Sequence, residues 1–268
     1  MLPINPGVRL PMPTALIVED EPDANKLLSM LVQLRGYRTE SAVTGGEALD
    51  LVDRARPDVV FLDLMLPDID GFEICRTIKS RRETTLIPVV MVTARLASDN
   101  EVRSYGVGAN DFVPKPYTPD QIFEALLAAE AWSLDVGRQP ERGEIIIDSR
   151  DEIEPLREFS RLRSLLRAWT PFDEESIGQI GLALRELWAS STAWGRRHHS
   201  GPVATIGFRI EPDRLLLSVR DEAGWFVEEK LPGEEGLRRW VLDGPFDKIS
   251  TEGSGRQVVL VRSYSRES

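Results

Sequence analysis

Four apolar runs in the first half of the chain each lead into a residue that can do chemistry. Ala15–Val18 is followed by Glu19 and Asp20, Val59–Leu62 by Asp63, Pro88–Val92 by Thr93, and Asp111–Val113 by Lys115, just before Pro116. If the runs are strands of one parallel sheet, these side chains meet at one rim, where open α/β sheets hold their ligands. Carboxylates gathered there repel one another by about 4 kcal/mol per pair at about 4 Å and an effective dielectric of about 20. A hard divalent cation relieves that repulsion, and Mg2+ suits carboxylate oxygens with a few waters. The chemistry that follows is phosphoryl transfer. Asp63 would be the nucleophile, Lys115 would neutralise a phosphoryl oxygen, and Thr93 would donate a hydrogen bond to another.

The runs read as buried strands because apolar residues follow one another without alternation. Helical patterns lie between them. Asp23–Arg35 is opened by Pro22 and closed by Gly36, with Leu27, Leu28, Leu31 and Leu34 as its inward stripe. Gly46–Ala55 is ended by Arg56–Pro57. Glu73–Ser80 follows the Pro67 and Asp70–Gly71 turn. Ser98–Tyr105 is a weak helix broken by Gly106 and Gly108, and Thr118–Trp132 has Thr118 as its N-cap. Tyr37–Ser41 supplies an edge strand. Five βα steps predict a doubly wound, five-stranded parallel sheet of flavodoxin-like order.

This constellation resembles the receiver domain of two-component response regulators over about Pro13 to Leu134. The resemblance implies that Asp63 is the phosphoacceptor and that Glu19, Asp20, Asp63 and the Met65 carbonyl hold Mg2+. It makes Thr93 and Lys115 the switch pair, and Phe112, three residues before Lys115, the aromatic that rotates on activation. The acidic pair is Glu–Asp where the family more often has Asp–Asp. Arg95 and Met65 would flank the route of hydrolytic water. The phosphoryl donor would be a sensor histidine kinase or a phosphotransfer protein. Drawing Thr93 inward would let Phe112 move and reshape the face formed by Ser98–Tyr105, Asp111–Val113 and the helix from Thr118. That face is expected to contact the second half of the chain or to form a homodimer.

The chain has 268 residues and room for about two domains, and 41% hydrophobic residues suffice for a core in each. A net charge of -11 argues against nucleic-acid binding through a basic face. The single cysteine, Cys75, excludes an internal disulfide, fits a reducing cytoplasm, and reads as a core thiol. No apolar run approaches the length of a membrane span. Residues 1–12 read as a disordered leader, 13–134 as the receiver-like domain, 135–143 as a linker and 144–265 as a second domain.

The second half reads as helices on a mostly antiparallel sheet. Glu144–Ile147 is a strand. Asp151–Trp169 is an amphipathic helix whose Arg157, Arg161, Arg163 and Arg167 make a solvated outer face. Glu174–Arg197 is a longer helix with Ile177, Ile180, Leu184, Leu187 and Trp194 inward, and its end at Arg196–His199 is solvated. Val203–Ile210 and Arg214–Val219 form a hairpin across Pro212–Asp213. A loop at Asp221–Trp225, a short helix at Glu235–Leu242 and strands near Phe246–Ile249 and Gln257–Val261 complete it.

This order is similar to the GHKL ATP-binding fold, closest to the anti-sigma-factor serine kinases. The residues that carry the likeness are Leu184–Ser190, Val219–Phe226 and Gly236–Leu237. By that likeness Glu186 holds the general-base position, Asp221 the adenine-binding position and Gly236 the start of the last glycine motif. Ser190 stands where an asparagine ligates Mg2+, and a serine is a poorer metal ligand. Ala223 and Trp225 replace loop glycines that allow close approach of a nucleotide, and Glu234 brings negative charge toward its phosphates. The favoured reading is a degenerate, non-catalytic docking module, with ATP binding lost, whose contact with a protein partner is gated by Asp63. A sigma-factor-regulatory protein is one such partner. The alternative is a phosphorylation-controlled, ATP-dependent serine protein kinase acting on an anti-sigma-antagonist type of partner. A DNA-binding output domain would need a helix-turn-helix, and none is evident.

Overall fold

The structure is a computed structural model that describes residues 12–94, 98–137, 142–148, 153–198, 201–222, 244–252 and 257–265. The first unit alternates strand and helix. Its elements are β1 (Thr14–Val18), α1 (Pro22–Leu34), β2 (Arg38–Ala42), α2 (Gly45–Ala55) and β3 (Val59–Leu62), then α3 (Gly71–Ser80), β4 (Val89–Thr93), α4 (Ser98–Val107), β5 (Asp111–Pro114) and α5 (Pro119–Gly137). The five strands form a sheet of order β2-β1-β3-β4-β5, every pair parallel. This is the flavodoxin-like order expected from the sequence. β1, β3 and β4 are buried at every position, which is why their sequences show no alternation. The edge strand β2 is mostly polar, as an edge requires.

Helix starts are fixed by local chemistry. The Asp70 carboxylate accepts from the Phe72 amide at 2.8 Å and caps α3. The Thr44 hydroxyl accepts from the Glu47 amide, and Glu47 reaches back to the Val43 amide. Thr118 caps α5 against the Gln121 amide. Gly36 closes α1 at a φ of 84°, a backbone conformation that suits glycine. The expected inward stripe of α1 needs correction. Leu28, Leu31 and Val32 are buried, whereas Leu27 is 52% and Leu34 76% exposed. Residues 27 and 34 lie one heptad apart, on the flank of the 28–31–32 stripe, and the sheet covers only that stripe.

The second unit contains β6 (Arg142–Asp148), α6 (Glu154–Trp169), α7 (Glu174–His198), β7 (Pro202–Ile210), β8 (Arg214–Asp221), β9 (Lys248–Glu252) and β10 (Gln257–Ser263). Its sheet is antiparallel, of order β6-β7-β8-β10-β9. Ile145, Ile206, Val219 and Val258 stand side by side across four strands and are buried under the helices. Ile177, Ile180 and Leu184 of α7 are buried there too, while the side chains of Leu187 and Trp194 lie outside the described part. Within the expected linker span 135–143, α5 continues to Gly137 and β6 begins at Arg142. The expected leader but for its last residue, the helix at Glu235–Leu242 and Arg95 lie outside the described residues.

The arginine face of α6 is the second correction. It is turned to the first unit. Arg167 is only 9% exposed and donates to the Ser80 carbonyl, at the end of α3, at 3.1 Å. Arg163 donates to the Gly106 carbonyl, in the last turn of α4, at 2.7 Å. Arg161 lies over the Trp132 ring, 5.4 Å from its centroid. Carbonyls at a helix C-terminus lack intrahelical donors and carry the negative end of the helix dipole, so guanidinium groups suit them. A helical projection shows the charges but not the acceptors opposite them.

Candidate functional site

At the C-terminal rim of the parallel sheet, β1, β3, β4 and β5 deliver Glu19, Asp63, Thr93 and Lys115. The Lys115 ammonium donates to Glu19 Oε2 at 2.5 Å and to Asp63 Oδ2 at 2.6 Å. Glu19 is 2% and Asp63 6% exposed. Burial raises the Glu19 carboxyl above its ordinary range, and Lys115 opposes that rise. Burial works against the Lys115 charge, yet Asp63 and Glu19 together hold its pKa above the ordinary value. Thr93 is fully buried, and its carbonyl accepts from the Lys115 amide at 2.8 Å. The Lys115–Pro116 peptide is cis.

The remaining predicted residues fall around this cluster. Asp20 is exposed, next to the buried Glu19. Among the described residues no group of three or more His, Cys, Asp or Glu side chains forms a ready-made metal cage. The Met65 amide donates to Asp63 Oδ1 at 3.1 Å, which leaves Oδ2 to Lys115. Phe112 is half-buried in β5 and packs on the cluster that contains Leu62 and Met91. Two supporting roles escaped the sequence reading. Asn25 donates to the Glu19 carbonyl at 3.1 Å and accepts from Ser41 at 2.9 Å, so it pins the β1–α1 loop. A side chain at Gly71 would place its Cβ 2.3 Å from the Asp63 carbonyl oxygen, so only glycine lets α3 start so close to the acid.

In the second unit, Glu186 is exposed on α7 and Asp221 ends β8. The side chains of Ser190 and Asp221, and all of Gly236, lie outside the described part. The predicted nucleotide site as a whole thus falls outside the described residues.

Helix α6 sits across α4, β5 and α5. Ser160 donates to the Ala109 carbonyl at 2.9 Å. Arg157 donates to the Tyr105 hydroxyl at 3.3 Å and to Asp111 Oδ1 at 3.2 Å. Tyr105 and Trp132 are buried in the same apolar cluster as Leu156, Phe159 and Leu162. Burial pushes the Tyr105 phenol up to about 12, so it stays protonated at neutral pH. The sequence did hold a signal for this contact: Ser160 and Ser164 interrupt α6 at a four-residue spacing on its buried side, where small polar residues allow close approach.

The rim chemistry and the sheet order now meet an independent finding. Residues 15–127 match the response regulator receiver domain family. The first unit is a receiver domain. This receiver segment is 33% identical over 117 residues to the DNA-binding dual master transcriptional regulator RpaA of Synechocystis, covering 44% of this chain and 48% of that protein. It is 38% identical over 122 residues to the transcriptional regulatory protein TcrA of Mycobacterium tuberculosis, covering 46% of each chain. The chain spans about half the length of the curated relatives it matches. A crystal structure of a putative response regulator from Chloroflexus aurantiacus aligns with 29% identity and a TM-score of 0.44, covering 45% of this chain and 98% of that one. No described helix is long and apolar enough to cross a membrane.

Proposed function

We propose that this protein is a response regulator in which Asp63 accepts a phosphoryl group from a sensor histidine kinase or phosphotransfer protein. The observation that carries this reading is the shared ammonium: Lys115 touches Asp63 and Glu19 at once, inside the fold. Two buried carboxylates against one ammonium leave excess negative charge, and the carboxylates and the Met65 carbonyl offer a metal oxygen ligands only. Those residues fit Mg2+, with Glu19, Asp20, Asp63 and the Met65 carbonyl to hold it. When bound, the ion supplies charge neutralisation for an incoming phosphoryl group. The chain's own part is to hold the Asp63 carboxylate, with Oδ1 fixed by the Met65 amide, and to offer Lys115 and Thr93 to the phosphoryl oxygens. Phosphorylation then gates the binding of a protein partner, sigma-regulatory in type, by a non-catalytic second unit. The DNA-binding name of one relative does not extend this far, because its match is confined to the receiver part.

The test is incubation with a small-molecule phosphodonor and Mg2+, read by intact mass. One added phosphoryl group is expected in the wild type and none in Asp63→Asn. Equal labelling of the two proteins rejects the assignment. Titration with Mg-ATP checks the second unit, and micromolar affinity would favour a working kinase there.

A further inference from the structure

The receiver and the second unit share one apolar core. Tyr105 and Trp132 of the receiver are 2% and 3% exposed and pack with Leu156, Phe159 and Leu162 of α6. The polar groups at this seam are paired as they would be in a domain interior. Trp132 Nε1 donates to the Leu86 carbonyl at 2.8 Å, and Ser160 to the Ala109 carbonyl. From the receiver side, Arg82 donates to the Thr170 carbonyl at 2.7 Å, just past α6. Opening the seam would put two aromatic rings in water and break the Arg167–Ser80 hydrogen bond, leaving Arg167 its pair with Glu174.

The grip falls on one place. Arg163 donates to the carbonyls of Tyr105 and Gly106, and Arg157 to the Tyr105 hydroxyl. Gly108, at a φ of 110°, leaves no room for a side chain: an added Cβ would stand 2.8 Å from Lys79 and 3.0 Å from Arg163. Arg157 also holds Asp111, whose neighbour in β5 is Phe112. So α6 is fastened to both sides of the turn between α4 and β5.

We infer that the two units stay docked when Asp63 is phosphorylated, and that the signal is read as a displacement of α6 by the last turn of α4 within a closed molecule, without release of the second unit. This rests on Asp63 being the phosphoacceptor. The experiment uses the full chain, with Mg2+ and beryllofluoride as the probe and fluorine NMR to report the bound anion. Spin labels on Lys26→Cys and Glu175→Cys, both exposed positions, report the distance between units, and Cys75 stays buried and unlabelled. The expected result is a single narrow distance distribution that moves by about 1–2 Å, with changed amide exchange along α6. A new, broad population at long distance overturns the inference. In Arg163→Ala the exchange response of α6 to beryllofluoride is expected to fall at least about twofold, and an unchanged response overturns the grip. Should no bound anion appear, the Asp63 reading fails and the coupling with it. The seam itself is then judged by heat: one calorimetric transition for both units is expected, and two separated transitions sink it.

Discussion

The Lys79 ammonium donates to Asn110 Oδ1 at 2.7 Å, and the same oxygen accepts from the Val89 amide at 3.0 Å. Lys79 also donates to the carbonyls of Thr85 at 2.9 Å and Ile87 at 2.7 Å. Three donors thus meet three neutral acceptors in a side chain only 5% exposed. The group ties α3, the loop before β4 and the start of β5 into one knot beneath the seam.

Lys79→Met keeps the packing volume but takes the ammonium from the Thr85 and Ile87 carbonyls and leaves Asn110 Oδ1 with only the Val89 amide. The expected loss is about 3 kcal/mol of unfolding free energy, measured by urea denaturation. A loss below about 0.5 kcal/mol shows that water or neighbouring groups replace the ammonium.

Lys115→Met tests the rim. Without the ammonium, Glu19 and Asp63 face each other buried, at a cost of about 3 kcal/mol near neutral pH. Burial already raises the Glu19 carboxyl, and removing Lys115 removes the pull that opposes it. A carboxyl whose folded pKa lies above its unfolded value binds more protons when folded, so stability falls as pH rises from the unfolded value, 4.5, through the folded one. The deficit of the variant relative to wild type should therefore be small near pH 4 and grow toward pH 7. A deficit that is constant with pH contradicts the buried-carboxylate account.

Gly71→Ala probes the approach of α3 to the acid. The added Cβ would meet backbone, the Asp63 carbonyl at 2.3 Å and Leu64 Cα at 2.7 Å, and backbone cannot swing aside. A loss of about 3 kcal/mol is expected in thermal unfolding, together with slower phosphoryl labelling as the Asp63 loop is pushed out. Full stability with unchanged labelling shows that the loop has slack.

Cys75 should be chemically silent. It is fully buried, and burial pushes its thiol up to about 11. A thiol reagent at pH 8 is expected to react only as fast as the protein unfolds. Stoichiometric reaction within seconds in native buffer refutes the burial.

The parallel sheet was legible because its strands are buried on both sides, and unbroken apolar runs such as Val59–Leu62 leave little else for them to be. The rim was legible because sheet order alone brings residues 19, 63, 93 and 115 together. Other features were not. The outward turn of Leu27 and Leu34 depends on how far the sheet covers α1, which periodicity does not state. Arg163 and Arg167 looked solvated because their acceptors are main-chain carbonyls, and every sequence has those. Lys79 drew no notice in the sequence because its cage is built from Thr85, Ile87 and Asn110, none of them charged.

Much of what α6 holds is main chain: the carbonyls of Ser80, Tyr105, Gly106 and Ala109. A carbonyl looks the same whichever residue carries it. The surfaces of α3 and α4 can therefore drift over generations while the bond to α6 survives, provided the helices keep their lengths. By the same token these contacts cannot tell kin from stranger among backbones of this shape, and that discrimination falls to side chains, the Tyr105 hydroxyl, the Asp111 carboxylate and the Trp132 ring among them.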